Sequence, residues 1–127
     1  MIEYKVKVYD GRTEWYLNGK PHREDGPAVE YTNGTKLWYL NGKLHREDGP
    51  ACEYANGDKE WFLNDQLHRE DGPAVESANG DKFWFINGEN LTEEEFINRN
   101  SHSITIDGKE ITLSNDSFNE LKKFFQK

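Results

Sequence analysis

Three copies of His-Arg-Glu-Asp, at 22–25, 45–48 and 68–71, are the residues of this chain best equipped for chemistry. An imidazole beside carboxylates suits general acid–base catalysis or a metal site, and a guanidinium suits a phosphate. Spacing argues against the first two. Consecutive residues of an extended segment point to alternate sides, whereas ligands or an acid–base pair must converge. Phosphate binding meets a different obstacle, because Glu and Asp follow each Arg and leave every copy with one net negative charge when His is neutral. A structural role has more support. Asp25-Gly26-Pro27 is expected to form an Asx-type turn, with Gly in an unusual φ and Pro ending strand pairing. His and Arg would then bond carbonyls or carboxylates of the adjoining unit in a charge-assisted ladder. His22, Arg23, His45, Arg46, His68 and Arg69 are kept as the alternative, a ligand site for a nucleotide. No phosphate-cradling glycine loop, nucleophile-elbow serine or paired zinc cysteines accompany them, so neither an enzyme nor a cofactor nor a metal is expected.

These motifs sit in a longer period. His-Arg-Glu-Asp-Gly-Pro-Ala recurs every 23 residues, and so do the pairs Trp15-Tyr16, Trp38-Tyr39, Trp61-Phe62 and Trp84-Phe85. Two series of turn dipeptides keep the same step. One is Asn18-Gly19, Asn41-Gly42, Asn64-Asp65 and Asn87-Gly88, and the other is Asp10-Gly11, Asn33-Gly34, Asn56-Gly57 and Asn79-Gly80. Asn-Gly favours type I′ hairpin turns, which need positive φ at both central positions. Each unit thus reads as a strand (28–32), a tight turn at Asn33-Gly34, a second strand (35–40), and a link through Asn41-Gly42 to the next hairpin. About eight strands in four hairpins are expected, starting near Ile2 and joined as an elongated, twisted antiparallel sheet over 1–88.

A two-residue loop at Asn33-Gly34 sets Val29 opposite Trp38 and sorts side chains by face. The core face collects Val6, Val8, Trp15 and Leu17, then Val29, Tyr31, Trp38 and Leu40, then Cys52, Tyr54, Trp61 and Leu63, then Val75, Trp84 and Ile86. A three-residue loop would change this sorting. The other face carries Tyr16, Tyr39, Phe62 and Phe85, interleaved with Glu14, Glu30, Glu53, Glu60 and Glu76. Aromatic rows with a polar margin suit protein interfaces, so Tyr16, Tyr39, Phe62, Phe85, Glu30, Glu53 and Glu76 are the candidate partner-binding residues. Packing within the protein competes as an explanation for the rings.

Residues 89–127 differ in pattern. Thr92 and Glu95 form a capping box ahead of a short helix, and 103–106 with 110–113 flank Asp107-Gly108 as a further hairpin. Ser117 and Glu120 form a second box opening an amphipathic helix to Gln126, with Phe118, Leu121, Phe124 and Phe125 on one side. This segment is expected to cap the array, a small α+β element packed with it as one unit.

Composition bounds the function. The chain has 127 residues, net charge −8, 34% hydrophobic and 13% aromatic residues and mean hydropathy −1.03, which points to one acidic domain with a thin, aromatic-rich core. No apolar run long enough to span a membrane and no basic apolar leader is present, so a cytoplasmic protein is expected. Cys52, the single cysteine, has no disulfide partner and stands where sister units have Val29 and Val75; it reads as a small core residue. Excess carboxylate disfavours direct nucleic-acid binding and anionic membranes.

The 23-residue period, the aromatic before Asn-Gly, and Asn-Gly-Lys-x-His (Asn18 to His22, Asn41 to His45) resemble MORN repeats over about two-thirds of the chain. Arg23, Glu24 and Asp25 stand between the His and the Gly that usually follows it directly. Arrays with His-Arg-Glu-Asp-Gly-Pro-Ala units are similar to small proteins of bacteriophages, bacteria and large DNA viruses. The resemblance implies a sheet of hairpins serving as a binding or assembly platform, and no chemistry. The expectation is a non-catalytic protein-binding module, acting by stoichiometric attachment to a host or viral protein, as an inhibitor of a host defence protein would. A sponge for a nucleotide-type ligand and a self-assembling homo-oligomer are the alternatives.

Overall fold

The structure is a computed structural model that describes residues 3–99 and 101–125. The expected start near Ile2, the helix end at Gln126 and the side chain of Phe125 lie outside the described residues. The chain divides into two compact units, Met1–Asn90 and Leu91–Lys127. It is mainly β, an antiparallel sheet of hairpins followed by a small α+β segment. No described helix is long and apolar enough to cross a membrane.

The first unit contains β1 (Tyr4–Tyr9), β2 (Arg12–Leu17), β3 (Lys20–Pro21), β4 (Val29–Tyr31), β5 (Lys36–Leu37), β6 (Tyr39–Leu40), β7 (Lys43–Leu44), β8 (Cys52–Glu53), β9 (Lys59–Glu60), β10 (Phe62–Leu63), β11 (Gln66–Leu67), β12 (Val75–Glu76) and β13 (Lys82–Ile86), and β14 (Glu89–Leu91) runs across its end. A ten-stranded sheet runs β1-β2-β4-β5-β8-β9-β12-β13-β14, with β3 on β2, while β6-β7 and β10-β11 form separate small hairpins. The strands exceed the expected eight because the links after Asn18-Gly19, Asn41-Gly42, Asn64-Asp65 and Asn87-Gly88 form β3, β7, β11 and β14, and because breaks at Trp38 and Trp61 each split one long strand into two.

The two turn series have different geometries. Asn18-Gly19, Asn41-Gly42 and Asn87-Gly88 have positive φ at both residues, between 50° and 81°, as a type I′ turn requires. The Asn33-Gly34 series does not. Only the Gly has positive φ, near 99° at Gly34 and Gly57, Gly34 N–H donates to Tyr31 C=O, and Tyr31 N–H donates to Thr35 C=O. At Asn33-Gly34 that is a three-residue loop with the left-handed residue last, braced by Asn33 Oδ1, which accepts from Thr35 N–H at 2.9 Å, whereas at Asp10-Gly11 Tyr9 pairs directly with Arg12 across two residues.

Register shifts accordingly. Val29 pairs with Leu37, not with Trp38, and the expected sorting of faces is corrected. One row across the sheet reads Glu14, Val29, Leu37, Cys52, Glu60, Val75, Phe83; the next reads Glu30, Lys36, Glu53, Lys59, Glu76, Lys82, alternating in charge. Opposite charges directly across strands reinforce that register. The core is smaller than expected: Ala28, Ala51, Ala74, Val29, Cys52 and His22 are buried. Val8 is 78% exposed, and Val6, Tyr31 and Tyr54 are exposed too, because β1 is an edge strand and both tyrosines flank loops.

In the second unit α1 (Glu93–Arg99) opens with the reciprocal box expected, Glu95 N–H to Thr92 Oγ1 at 3.0 Å and Thr92 N–H to Glu95 Oε1 at 2.9 Å. Backbone donation from Thr92 holds the Glu95 carboxyl below its ordinary range. Strands β15 (His102–Ile106) and β16 (Lys109–Leu113) pair across Asp107-Gly108. Helix α2 (Asn115–Phe125) starts before the expected box: its cap is Ser114, whose Oγ accepts from Ser117 N–H at 3.1 Å, since Ser114 directly follows the strand. His102 stacks on Phe118 with ring centroids 3.8 Å apart.

The glycine of each Gly-Pro-Ala has an ordinary φ, unlike the expectation, and is required for space. A Cβ at Gly49 would lie 3.0 Å from Arg46 Cζ. Gly49→Ala is therefore expected to cost about 1–3 kcal/mol in urea unfolding, as overpacking does. In an Arg46→Ala background the same change should become stabilising by about 0.4–1 kcal/mol, the usual effect of Gly→Ala at a compatible φ.

Candidate functional site

Each His-Arg-Glu-Asp segment is built around a tryptophan eight residues before its Arg. Trp15 N–H donates to Ala28 C=O at 2.7 Å, and Trp15 C=O accepts from His22 N–H at 3.0 Å; Trp38 and Trp61 repeat both bonds with Ala51 and His45, and with Ala74 and His68. The close approach of backbone explains why each Ala is fully buried. On the indole lies the guanidinium: Arg23 Cζ is 4.2 Å from the Trp15 ring centroid, Arg46 3.8 Å from Trp38, and Arg69 3.9 Å from Trp61. Such stacking is worth roughly 0.5–2 kcal/mol, more as it is desolvated.

The same guanidinium is tied at its edge. Nε donates to Asp25, Asp48 and Asp71 at 3.0, 3.0 and 2.8 Å. Nη1 donates to the carbonyls of Pro27, Pro50 and Pro73 at 3.3, 3.0 and 3.1 Å, and to Glu30, Glu53 and Glu76 at 3.4, 3.3 and 3.1 Å. Candidate ligand residues and candidate partner residues are thus brought together as ion pairs of the scaffold. Glu30, Glu53 and Glu76 also face lysines across the strands, which neutralises them further.

The histidines link one unit to the next, as acceptors from backbone N–H. Nδ1 of His22, His45 and His68 accepts from the N–H of Asn41, Asn64 and Asn87 at 2.8, 3.0 and 2.9 Å, each opening a turn 19 residues on. The ring proton therefore sits on Nε2. In His22 that nitrogen is buried without a hydrogen bond, 3.5 Å from Glu24 Oε1. Among the described residues no three His, Cys, Asp or Glu side chains are grouped so as to hold a metal ion.

Tyr16, Tyr39, Phe62 and Phe85 are half-buried. Three of them bond through the backbone, accepting from the N–H of Arg23, Arg46 and Arg69. Tyr16 Oη donates to Glu14 Oε1 at 2.8 Å, which raises its own phenol and lowers the carboxyl. Burial pushes the Tyr39 phenol up and the Cys52 thiol up to about 11, so Cys52, 1% exposed, is no nucleophile at neutral pH.

What sequence reasoning missed is the second half of the motif. Glu24, Asp25, Glu47, Asp48, Glu70 and Asp71 are 73–88% exposed, while the arginines among them are 21% exposed. Neighbouring copies form facing walls. A groove of about 650 Å³ separates the 23–26 and 45–48 segments over Trp38 and Leu40, and another of about 660 Å³ separates 46–49 and 68–71 over Trp61 and Leu63. The constant eight-residue step from Trp to Arg was the available signal for the stack.

His45→Ala removes one inter-unit bond. A loss of about 1 kcal/mol and about 4 °C in melting temperature is expected with no ligand present. An unchanged melt would overturn the structural role. No protein-family model matches this chain, and no curated protein or solved structure matches it.

Proposed function

We propose that the chain is a non-catalytic protein-binding repeat module of MORN-like type, a stoichiometric inhibitor of a host protein such as its resemblance to phage and viral arrays implies. One observation carries the reading: acid is displayed and base is hidden along the His-Arg-Glu-Asp walls. Such a surface attracts a basic protein surface and competes there with nucleic acid, in a salt-sensitive way. The nucleotide-sponge alternative is disfavoured because each guanidinium already has an indole, a carbonyl and two carboxylates. Capture from host lysate should recover a partner in stoichiometric amount, lost at high salt; recovery of none counts against the reading.

Self-assembly is favoured by a separate observation, the open edge of β1, exposed from Tyr4 to Tyr9. Light scattering at rising concentration should then report a growing mass. A constant monomer mass eliminates it.

A further inference from the structure

Both grooves share the wall that carries Glu47 and Asp48, and each has an apolar floor, Trp38 with Leu40 or Trp61 with Leu63. An aliphatic chain ending in a cation fits that combination: methylenes cover the floor and the charge reaches the rim. One indole face already holds the chain's own Arg, so the incoming cation is met by carboxylates. A compact ammonium suits them.

Pitch specifies the partner further. Each unit adds two neighbouring strands to the large sheet, β4-β5, β8-β9 and β12-β13. At the usual strand spacing of about 4.8 Å the grooves are then about 10 Å apart. A polyproline-II chain presents every third residue on one side at about 9.3 Å. Extended strand presents same-side residues at about 6.6 or 13 Å, and an α-helix at about 5.4 Å per turn or about 10.5 Å seven residues on, against about 9.6 Å for two strand spacings. Polyproline II is the best match.

Resting on the protein-binding reading above, we propose that these grooves take a lysine-bearing polyproline-II segment of the partner, one lysine per groove, at every third residue. The test is a fluorescence titration of the full chain with Lys-Pro-Pro-Lys and with its isomer Lys-Pro-Lys-Pro, identical in charge and composition. The first should bind at least about fivefold more tightly. Glu47→Gln, on the shared wall, should weaken it about fivefold with the melting temperature retained, Glu70→Gln should weaken it less, and Glu110→Gln in β16 should not change it. Equal affinity for the two isomers, or binding by neither, overturns the proposal. Lysate capture separates the two ideas: a stoichiometric partner recovered by a chain that binds neither peptide leaves the binding module standing and removes its lysine-segment specificity.

Discussion

A guanidinium laid on an indole is the constraint around which each of the three His-Arg-Glu-Asp units is packed. The hydrophobic interior is small: among the described residues the buried ones are three alanines, a valine, a cysteine and a histidine. Trp15, Trp38 and Trp61 are only half-buried, and the face each leaves uncovered by apolar neighbours is closed by Arg. Once the guanidinium lies there, its edge fixes an Asp, a proline carbonyl and a Glu, and its other side demands a residue without Cβ. The order Arg-Glu-Asp-Gly-Pro-Ala follows from packing around one cation.

Coupling between units is mostly backbone hydrogen bonding, with His22, His45, His68, Thr35 and Asp58 among the side-chain acceptors. Arg23 N–H donates to Tyr39 C=O, Gly42 N–H to Pro21 C=O, and Asn41 N–H to His22 Nδ1; the same set recurs one unit on. The exception shows how tightly the geometry is held. Asp65 replaces glycine with φ of 65°, and its carboxylate accepts from Leu44 N–H of the preceding unit at 2.7 Å, an added bond that offsets the backbone strain. Nearest-neighbour coupling of this kind is what stabilises a repeat array in the absence of a central core.

The consequence for function is a division of labour within four consecutive residues. His and Arg are consumed by the scaffold, and Glu and Asp are left outside. A motif with one net negative charge when written out presents both carboxylates as an acidic surface once its cation is drawn onto tryptophan.

Sequence by itself determined the 23-residue period, the hairpin architecture, the type I′ turns at Asn18-Gly19 and Asn41-Gly42, and the capping box at Thr92 and Glu95, because turn φ values and helix caps depend on residues a few positions apart. Only the tertiary structure decided the rest. The Asn33-Gly34 turn adopted three residues, which its dipeptide does not specify, and this slipped Trp38 out of pairing with Val29. Placement of the second helix cap at Ser114 followed from where β16 ends. Exposure of the carboxylates was likewise illegible, because net charge counts Arg and Asp as equals while burial against an indole does not; that asymmetry exists only after Trp and Arg, eight residues apart, meet.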